Sequence, residues 1–158
     1  MDFSNVTTGI LQGLKTWESK LTELPEDTIM NKRNNQSRTI KQILGHMIDS
    51  ASNNTHRIIH LQYQESPFSF PNYAVNGNND RWIAIQNYQD EHWGNLIQHW
   101  KFIHIHLVHV INNVNQNKLE NTWISESKYG NITLRDMIVG FLEHFNLHLG
   151  EIQELIDK

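Results

Sequence analysis

The sequence contains no cysteine, which excludes disulfide bonds, thiolate metal ligands and a cysteine nucleophile together. Any metal site in this chain must therefore be built from histidine, carboxylate or water. The N-terminus lacks the basic and apolar regions of a signal peptide, and no apolar run approaches the roughly 18 residues of a membrane-spanning helix. We therefore expect a cytoplasmic protein that has no membrane partner.

Positive charge is sparse, and several well-known motifs are missing. The formal net charge is −4, and no cluster of Lys and Arg is dense enough to bind phosphates, so a nucleic-acid partner is not expected. The sequence has no phosphate-binding glycine loop and no H-E-x-x-H motif. It also has no paired Glu-x-x-His segments, which a di-iron carboxylate bundle requires.

The spacing of the apolar residues predicts four helices within a single domain that covers residues 1–158. They are expected at about 5–23, 38–63, 81 or 87 to 114, and 134–156, the last capped by Thr133. No segment reads as a strand pair. The predicted fold is all-α, a four-helix bundle with a long loop between helices two and three. Aromatic residues in this loop, Phe68, Phe70 and Tyr73, either wall a pocket or form a small cluster that holds the loop down.

Histidines dominate the candidate chemistry, since the chain has ten of them. His144 and His148 are spaced i, i+4 on the last helix, at roughly 90° and 50° from the centre of its apolar stripe. Such a pair can share one metal ion, or it can consist of two hydrogen-bonded groove histidines. A metal would need a third ligand from elsewhere in the chain.

Periodicity alone gives little support to a ligand on the other helices. His46 on helix two lies roughly 130° from the stripe centre, which predicts a flank or surface position, and Asp49 and Arg57 read as solvated polar residues. His92, His99 and His106 on helix three repeat at seven residues, or roughly 10.5 Å, too far apart for two of them to share an ion. His104, near the apolar centre of the same helix, reads as a hydrogen-bonded core histidine.

Two segments resemble signatures of the DinB-like superfamily of four-helix bundles. Residues 44–50 (LGHMIDS), with Arg57 further along, resemble the L-x-H-L-x-D-S segment of that family. Residues 129–136 (YGNITLRD), followed by His144, His148 and Glu151, resemble its glycine turn, capped helix and H-x-x-x-H-x-x-Q-I motif. The order of elements matches over nearly the whole chain, so the predicted fold is a DinB-like four-helix bundle.

The resemblance implies a site in which His46, His144 and His148 bind one divalent metal ion in a cavity at one end of the bundle. Zinc or nickel is favoured, and iron or manganese remains an alternative. Where the family usually has Gln, this chain has Glu151, which is expected to orient an imidazole by accepting its N–H. A fourth ligand and plain helix surface are the other interpretations of Glu151. Asp49 is a second candidate for an orienting role.

The activity implied by the resemblance is that of a metal-dependent thiol S-transferase, which joins a low-molecular-weight thiol such as bacillithiol to an electrophilic substrate. Alternatives are a metal-dependent hydrolase and a non-catalytic metal- or ligand-binding stress-response protein. Members of the family often pair, so a homodimer is expected. No signature identifies a catalytic residue, the thiol or the electrophile.

Overall fold

Four long helices frame the structure, a computed structural model that describes residues 1–158. Two short helices and three short strands lie in the connections between them. In chain order the elements are α1 (Ser4–Thr22), α2 (Glu26–Asn31), α3 (Ile40–Tyr63), β1 (Phe68–Ser69), α4 (Asn78–Gln86), α5 (Trp93–Asn112), β2 (Thr122–Ile124), β3 (Asn131–Thr133) and α6 (Leu134–Asp157). The all-α four-helix fold predicted from the sequence is confirmed.

The helices that carry the candidate site begin at side-chain caps. Thr39 accepts a hydrogen bond from the backbone N–H of Gln42, and the Gln42 side chain accepts one from the backbone N–H of Thr39 at the start of α3. Thr133 caps α6 by accepting from the backbone N–H of Asp136 at 3.0 Å, as predicted. Because these caps satisfy backbone donors that a helix leaves free, they fix where α3 and α6 start.

The four long helices pack so that α1 and α3 each contact both α5 and α6. One continuous hydrophobic cluster fills the space between them, with Trp100 of α5 and Phe145 of α6 stacked at its centre, their ring centroids 6.0 Å apart. The contact between α3 and α6 brings the two helices that carry the candidate ligands side by side.

Helix three, predicted to start at residue 81 or 87, is preceded in the structure by a separate short helix. α4 ends at Gln86, Asn87 adopts a left-handed conformation (φ 50°), and a 3₁₀ turn at Tyr88–Asp90 follows. α5 then starts with His92 as its N-cap. Asparagine adopts a left-handed backbone more readily than most residues, so Asn87 provides the break.

A three-stranded sheet, which the sequence did not predict, joins the two irregular connections. β1 pairs in parallel with β2 through Phe68 and Trp123, and β2 pairs antiparallel with β3. With two or three residues each, these strands are too short to produce a visible alternation of apolar and polar residues. The sheet ties the loop after α3 to the segment that leads into α6. None of the helices has the length and apolar character needed to cross a lipid bilayer.

Candidate metal centre

Three histidines from two helices meet where α3 contacts α6. His46 comes from the second turn of α3, and His144 and His148 come from adjacent turns of α6. One nitrogen of each ring lies within 4.8 Å of one nitrogen of each of the other two. His46 and His148 are buried and His144 is half-buried. The structure thus brings together the three residues predicted as ligands.

The rings are arranged edge to face around a common point. The Nε2 atoms of His144 and His148 are 3.1 Å apart, and the His46 ring centroid lies 4.7 Å from that of His148 and 5.8 Å from that of His144. Two imidazole nitrogens bound to one tetrahedral ion at about 2.05 Å are about 3.3 Å apart. The spacing of the two Nε2 atoms is therefore close to that of a bound pair.

Glu151 determines which nitrogen of His148 is available. Its Oε2 lies 2.9 Å from His148 Nδ1, and an ionised carboxylate can only accept, so Nδ1–H is the donor. In the neutral ring Nε2 then carries a lone pair directed at the cluster. A carboxylate in this position also makes the imidazole a more basic ligand.

Ser50 contacts the other α6 histidine, with its Oγ 3.3 Å from His144 Nδ1. A hydroxyl can donate or accept, so both tautomers of His144 are accommodated. Without an ion, His144 Nε2–H donates to His148 Nε2, and Ser50 donates to Nδ1. With an ion at the cluster, Nδ1–H donates to Ser50 and the Nε2 lone pair is free to bind.

Burial keeps two of the three histidines, His46 and His144, neutral. Burial, with a smaller contribution from the neighbouring His148, lowers the pKa of His46 to about 2. Burial likewise lowers the pKa of His144 to about 4, again with a contribution from His148. Metal binding requires neutral imidazole, so these two rings are in the required form at neutral pH.

The residues present fit a divalent ion. The donor set is three imidazoles and contains no thiolate, which suits zinc, nickel, iron or copper more than calcium or magnesium. His46 Nδ1 is buried and has no hydrogen-bond partner, an unsatisfied group that is rare away from functional sites. Two nitrogens on one ion are at most about 4.1 Å apart, so a small rotation of the rings closes the present spacing of up to 4.8 Å.

Asp49 lies one turn beyond His46, but its hydrogen bonds go elsewhere. Its Oδ1 accepts from Tyr88 Oη at 2.6 Å and from Gln86 Nε2 at 2.8 Å, while Oδ2 has no partner. Burial raises the pKa of this carboxyl group. Tyr88 reaches it by packing its ring directly on Gly45, where an added Cβ would lie 2.1 Å from the ring. Asp49 therefore anchors the α4–α5 connection to α3 and forms a hydrogen bond with none of the three histidines.

A cavity of about 390 Å³ opens beside the cluster. Its walls come from α3, α6 and the two connections that the sheet joins, and His144 lies in its lining. The wall residues are Ser50, Asn54, Arg57, Asn72, Tyr73, Ala74, Val75, Trp123, Ser125, Ser127, Tyr129, Ile132, Met137, Gly140, Phe141 and His144. The volume falls within the range of small-molecule pockets.

The long loop after α3 fulfils both of the roles considered from the sequence. Tyr73 forms part of the cavity wall, and its ring centroid lies 5.9 Å from that of His46. Phe68 instead stacks on His60 with ring centroids 5.3 Å apart, Phe70 packs on the same ring at a tilt with centroids 5.5 Å apart, and both hold the loop against α3.

Periodicity misplaced three polar residues of α3. His46 is 4% exposed, Asp49 1% and Arg57 5%, so the predictions of a flank or surface histidine and of solvated polar residues are wrong. The apolar stripe marks only the face that packs into the central core, whereas the polar flank of α3 is covered by α6 and the loops. His104 is 1% exposed with its Nδ1 2.7 Å from the Trp100 carbonyl oxygen, which confirms it as a hydrogen-bonded core histidine.

The fold and the histidine cluster together define a four-helix bundle with a candidate site for a divalent metal. Among solved structures, the chain is similar to YfiT from Bacillus subtilis, described as a probable metal-dependent hydrolase with an unusual four-helix bundle topology. The match has a TM-score of 0.80 and 15% sequence identity, and covers 97% of this chain and 85% of that one. It establishes the fold. No protein-family model and no curated protein sequence matches the chain.

Proposed function

We propose that this chain is a metal-dependent enzyme in which His46, His144 and His148 hold one divalent ion, and that it transfers a low-molecular-weight thiol to an electrophile. The observation that carries the proposal is the convergence of three imidazoles from two helices beside a cavity of about 390 Å³. Three protein ligands leave a position for a substrate, as in catalytic sites and unlike closed structural ones.

The chemistry follows from what each group supplies. A bound divalent ion would lower the pKa of a thiol or water towards neutrality and so provide a nucleophile. Glu151 holds His148 in the ligating tautomer, and Ser50 can accept the Nδ1–H of His144 when that ring ligates through Nε2. Tyr73 and Phe141 border the cluster, with ring centroids 5.9 Å from His46 and 6.4 Å from His144, and limit the access of bulk water.

The lining of the cavity favours a thiol as the nucleophile. None of the sixteen lining residues is an Asp or Glu, so no carboxylate lies in the wall to accept a proton from water. A thiol, with an ordinary pKa of about 8.5, needs much less assistance to ionise than water does. A divalent ion held by the three histidines would therefore be enough to favour the thiolate, whose proton would pass to solvent water.

A metal-dependent hydrolase is the second candidate. The similarity to YfiT, described as a probable metal-dependent hydrolase, favours it, and the same three histidines would hold the ion. The two reactions differ in whether a thiol is consumed, which makes them separable by experiment. A non-catalytic protein that binds a metal would consume neither a thiol nor a hydrolysable substrate.

The first test is the metal content of protein purified without an affinity tag, measured by elemental analysis. We expect about one equivalent of a divalent metal in the native chain and its loss in His46→Ala and His148→Ala. His99→Ala is the matched control, because His99 is exposed on α5 and lies outside the cluster. A native protein that cannot be loaded, or a His46→Ala variant that binds as well as native, contradicts the proposed site.

The second test is turnover by the metal-loaded protein. Consumption of an electrophile such as a haloarene or an epoxide only when a thiol is present supports the transferase. Hydrolysis of esters or amides without a thiol supports the second candidate. Stoichiometric metal with no turnover on either panel contradicts an enzymatic role.

A further inference from the structure

Arg57 is a buried cation that has no partner in the protein. Its side chain lines the cavity and is 5% exposed, yet no hydrogen bond or salt bridge to it is formed, and Nε and Nη2 are both fully buried without a partner. Its guanidinium carbon lies 3.9 Å from the ring centroid of Trp123 and 5.8 Å from those of Phe70 and Tyr73. The aromatic rings hold the guanidinium in position but leave its N–H groups unsatisfied.

Arg38, an equally buried arginine of the same chain, makes a useful comparison. It is also 5% exposed, and its Nε and Nη2 donate to Asp80 Oδ1 at 3.2 and 2.7 Å. Buried arginine is usually paired, because the desolvation of an unpaired buried charge costs on the order of several kcal/mol. Burial lowers the pKa of Arg57 only to about 10, so the group stays charged at neutral pH. Arg57 therefore lacks the carboxylate that Arg38 has.

We propose that Arg57 is the binding residue for a carboxylate group of the small molecule that occupies the cavity. For the reaction at the other end of that molecule, near the histidines, this inference rests on the proposed function. The guanidinium fork matches a carboxylate in geometry. Arg57 is the only cation in the cavity lining. It can therefore balance the single negative charge of a carboxylate, but not the two negative charges of a phosphate dianion.

The position of Arg57 constrains the shape of the ligand. Ser50, Asn54 and Arg57 follow one another at steps of four and three residues and line the cavity along one face of α3. Seven helical residues rise roughly 10.5 Å, and Ser50 contacts His144. The site therefore suits a molecule that has its carboxylate at one end and its reacting group several bonds away, towards the histidines. Asn54 and Asn72, which also line the cavity, add neutral polar surface between the two ends.

The test measures binding by calorimetry with mercaptohexanoate and with its carboxamide, which differ only at the terminal group: a charged acceptor in the first and a neutral amide with N–H donors in the second. Both metal-free and metal-loaded protein are used, with native, Arg57→Met, Arg57→Lys and Arg81→Met chains. Arg81 is exposed, so Arg81→Met loses the same charge outside the cavity. We expect the native chain and Arg81→Met to prefer the carboxylate by about 10- to 100-fold, as for hydrogen bonds to charged groups. Arg57→Met should lose the preference with unchanged carboxamide binding, and Arg57→Lys should retain part of it.

Equal binding of acid and amide to the native chain overturns the proposal, as does a preference that survives in Arg57→Met. If Arg57→Met does not fold, judged by circular dichroism, the native preference and its reduction in Arg57→Lys decide the question. Hexanoate and a thiol-free carboxylated electrophile are measured in parallel, and the probe that binds Arg57-dependently identifies which substrate carries the carboxylate. The binding measurements on metal-free protein need neither an ion nor turnover. A carboxylate preference in a protein without activity would therefore mean that the proposed reaction is wrong while the Arg57 site is right.

Discussion

Replacing Glu151 should weaken metal binding without displacing any ligand. The carboxylate accepts from His148 Nδ1 at 2.9 Å, and the two side chains are 24% and 7% exposed. A hydrogen bond to a charged group is worth about 1.5–3 kcal/mol, and partial exposure of Glu151 moves the expectation to the lower half of that range. Glu151→Ala should therefore reduce metal affinity by about 10- to 40-fold, within the range for residues that orient metal ligands. Glu151→Gln keeps an acceptor without the charge and should lose less.

Affinity is best measured by competition with a chromophoric chelator at neutral pH. Glu154→Ala is the matched control, because Glu154 lies on the same helix, is exposed and makes no contact with the cluster. The thermal stability of each metal-free variant is compared in parallel, so that a loss of affinity is not confused with a loss of fold. Unchanged affinity in Glu151→Ala would refute the orienting role. An affinity loss of several thousand-fold would instead identify Glu151 as a ligand.

Three further predictions concern stability, each measured by urea denaturation of the metal-free protein. Burial lowers the pKa of His104 to about 4, so the unfolded chain binds more protons below its ordinary pKa of about 6.5. The free energy of unfolding should then fall as the pH drops from about 6.5 towards 4, by about 2 kcal/mol at pH 5 from this residue alone. His104→Phe should flatten this dependence of stability on pH. An unchanged slope in the variant would contradict the prediction. Tyr88→Phe removes the 2.6 Å donor to buried Asp49 and should cost about 1.5–3 kcal/mol, whereas a cost below the error of the method would mean that another donor or water replaces it. Gly45→Ala inserts a methyl group 2.1 Å from the Tyr88 ring and should cost about 1–3 kcal/mol of stability by overpacking. Gly150→Ala is the control and should not lose stability, because a methyl group at that position has nothing within 4 Å.

The sequence predicted the bundle because its helices have long apolar stripes and recognisable caps. α1, α3 and α6 begin and end within about two residues of the predicted bounds, and Thr133 caps α6 as expected. The six-residue α2 was not predicted, because a helix this short has too few residues to show a periodicity. The break at Asn87 coincides with the later of the two predicted starts of helix three, but the separate nine-residue α4 that precedes it was not predicted.

The candidate site was found through the resemblance and not through periodicity. A helical wheel ranks positions by their distance from the apolar stripe, and it placed His46 near the surface although α6 covers it. The wheel could not identify Arg57 as a cavity residue either, since the aromatic rings around it come from connections distant in sequence. The spacing of His144 and His148 on a single helix was the one element of the cluster that local geometry predicted unaided. Their role as ligands, with that of His46, is tested by the metal measurements above.

Because of the small sheet, the two sides of the cavity depend on different parts of the molecule, and the residues of one side can be substituted separately from those of the other. The histidines lie on helices whose positions depend on the central core, whereas the opposite wall of the cavity belongs to two connections fastened to each other through Phe68 and Trp123. Substitutions in that wall alter the size and polarity of the chamber while the cluster and the bundle keep their geometry. If the proposed function holds, this architecture would let one scaffold and one metal site serve different substrates, and residues 72–75 and 123–129 would be the targets for changing selectivity.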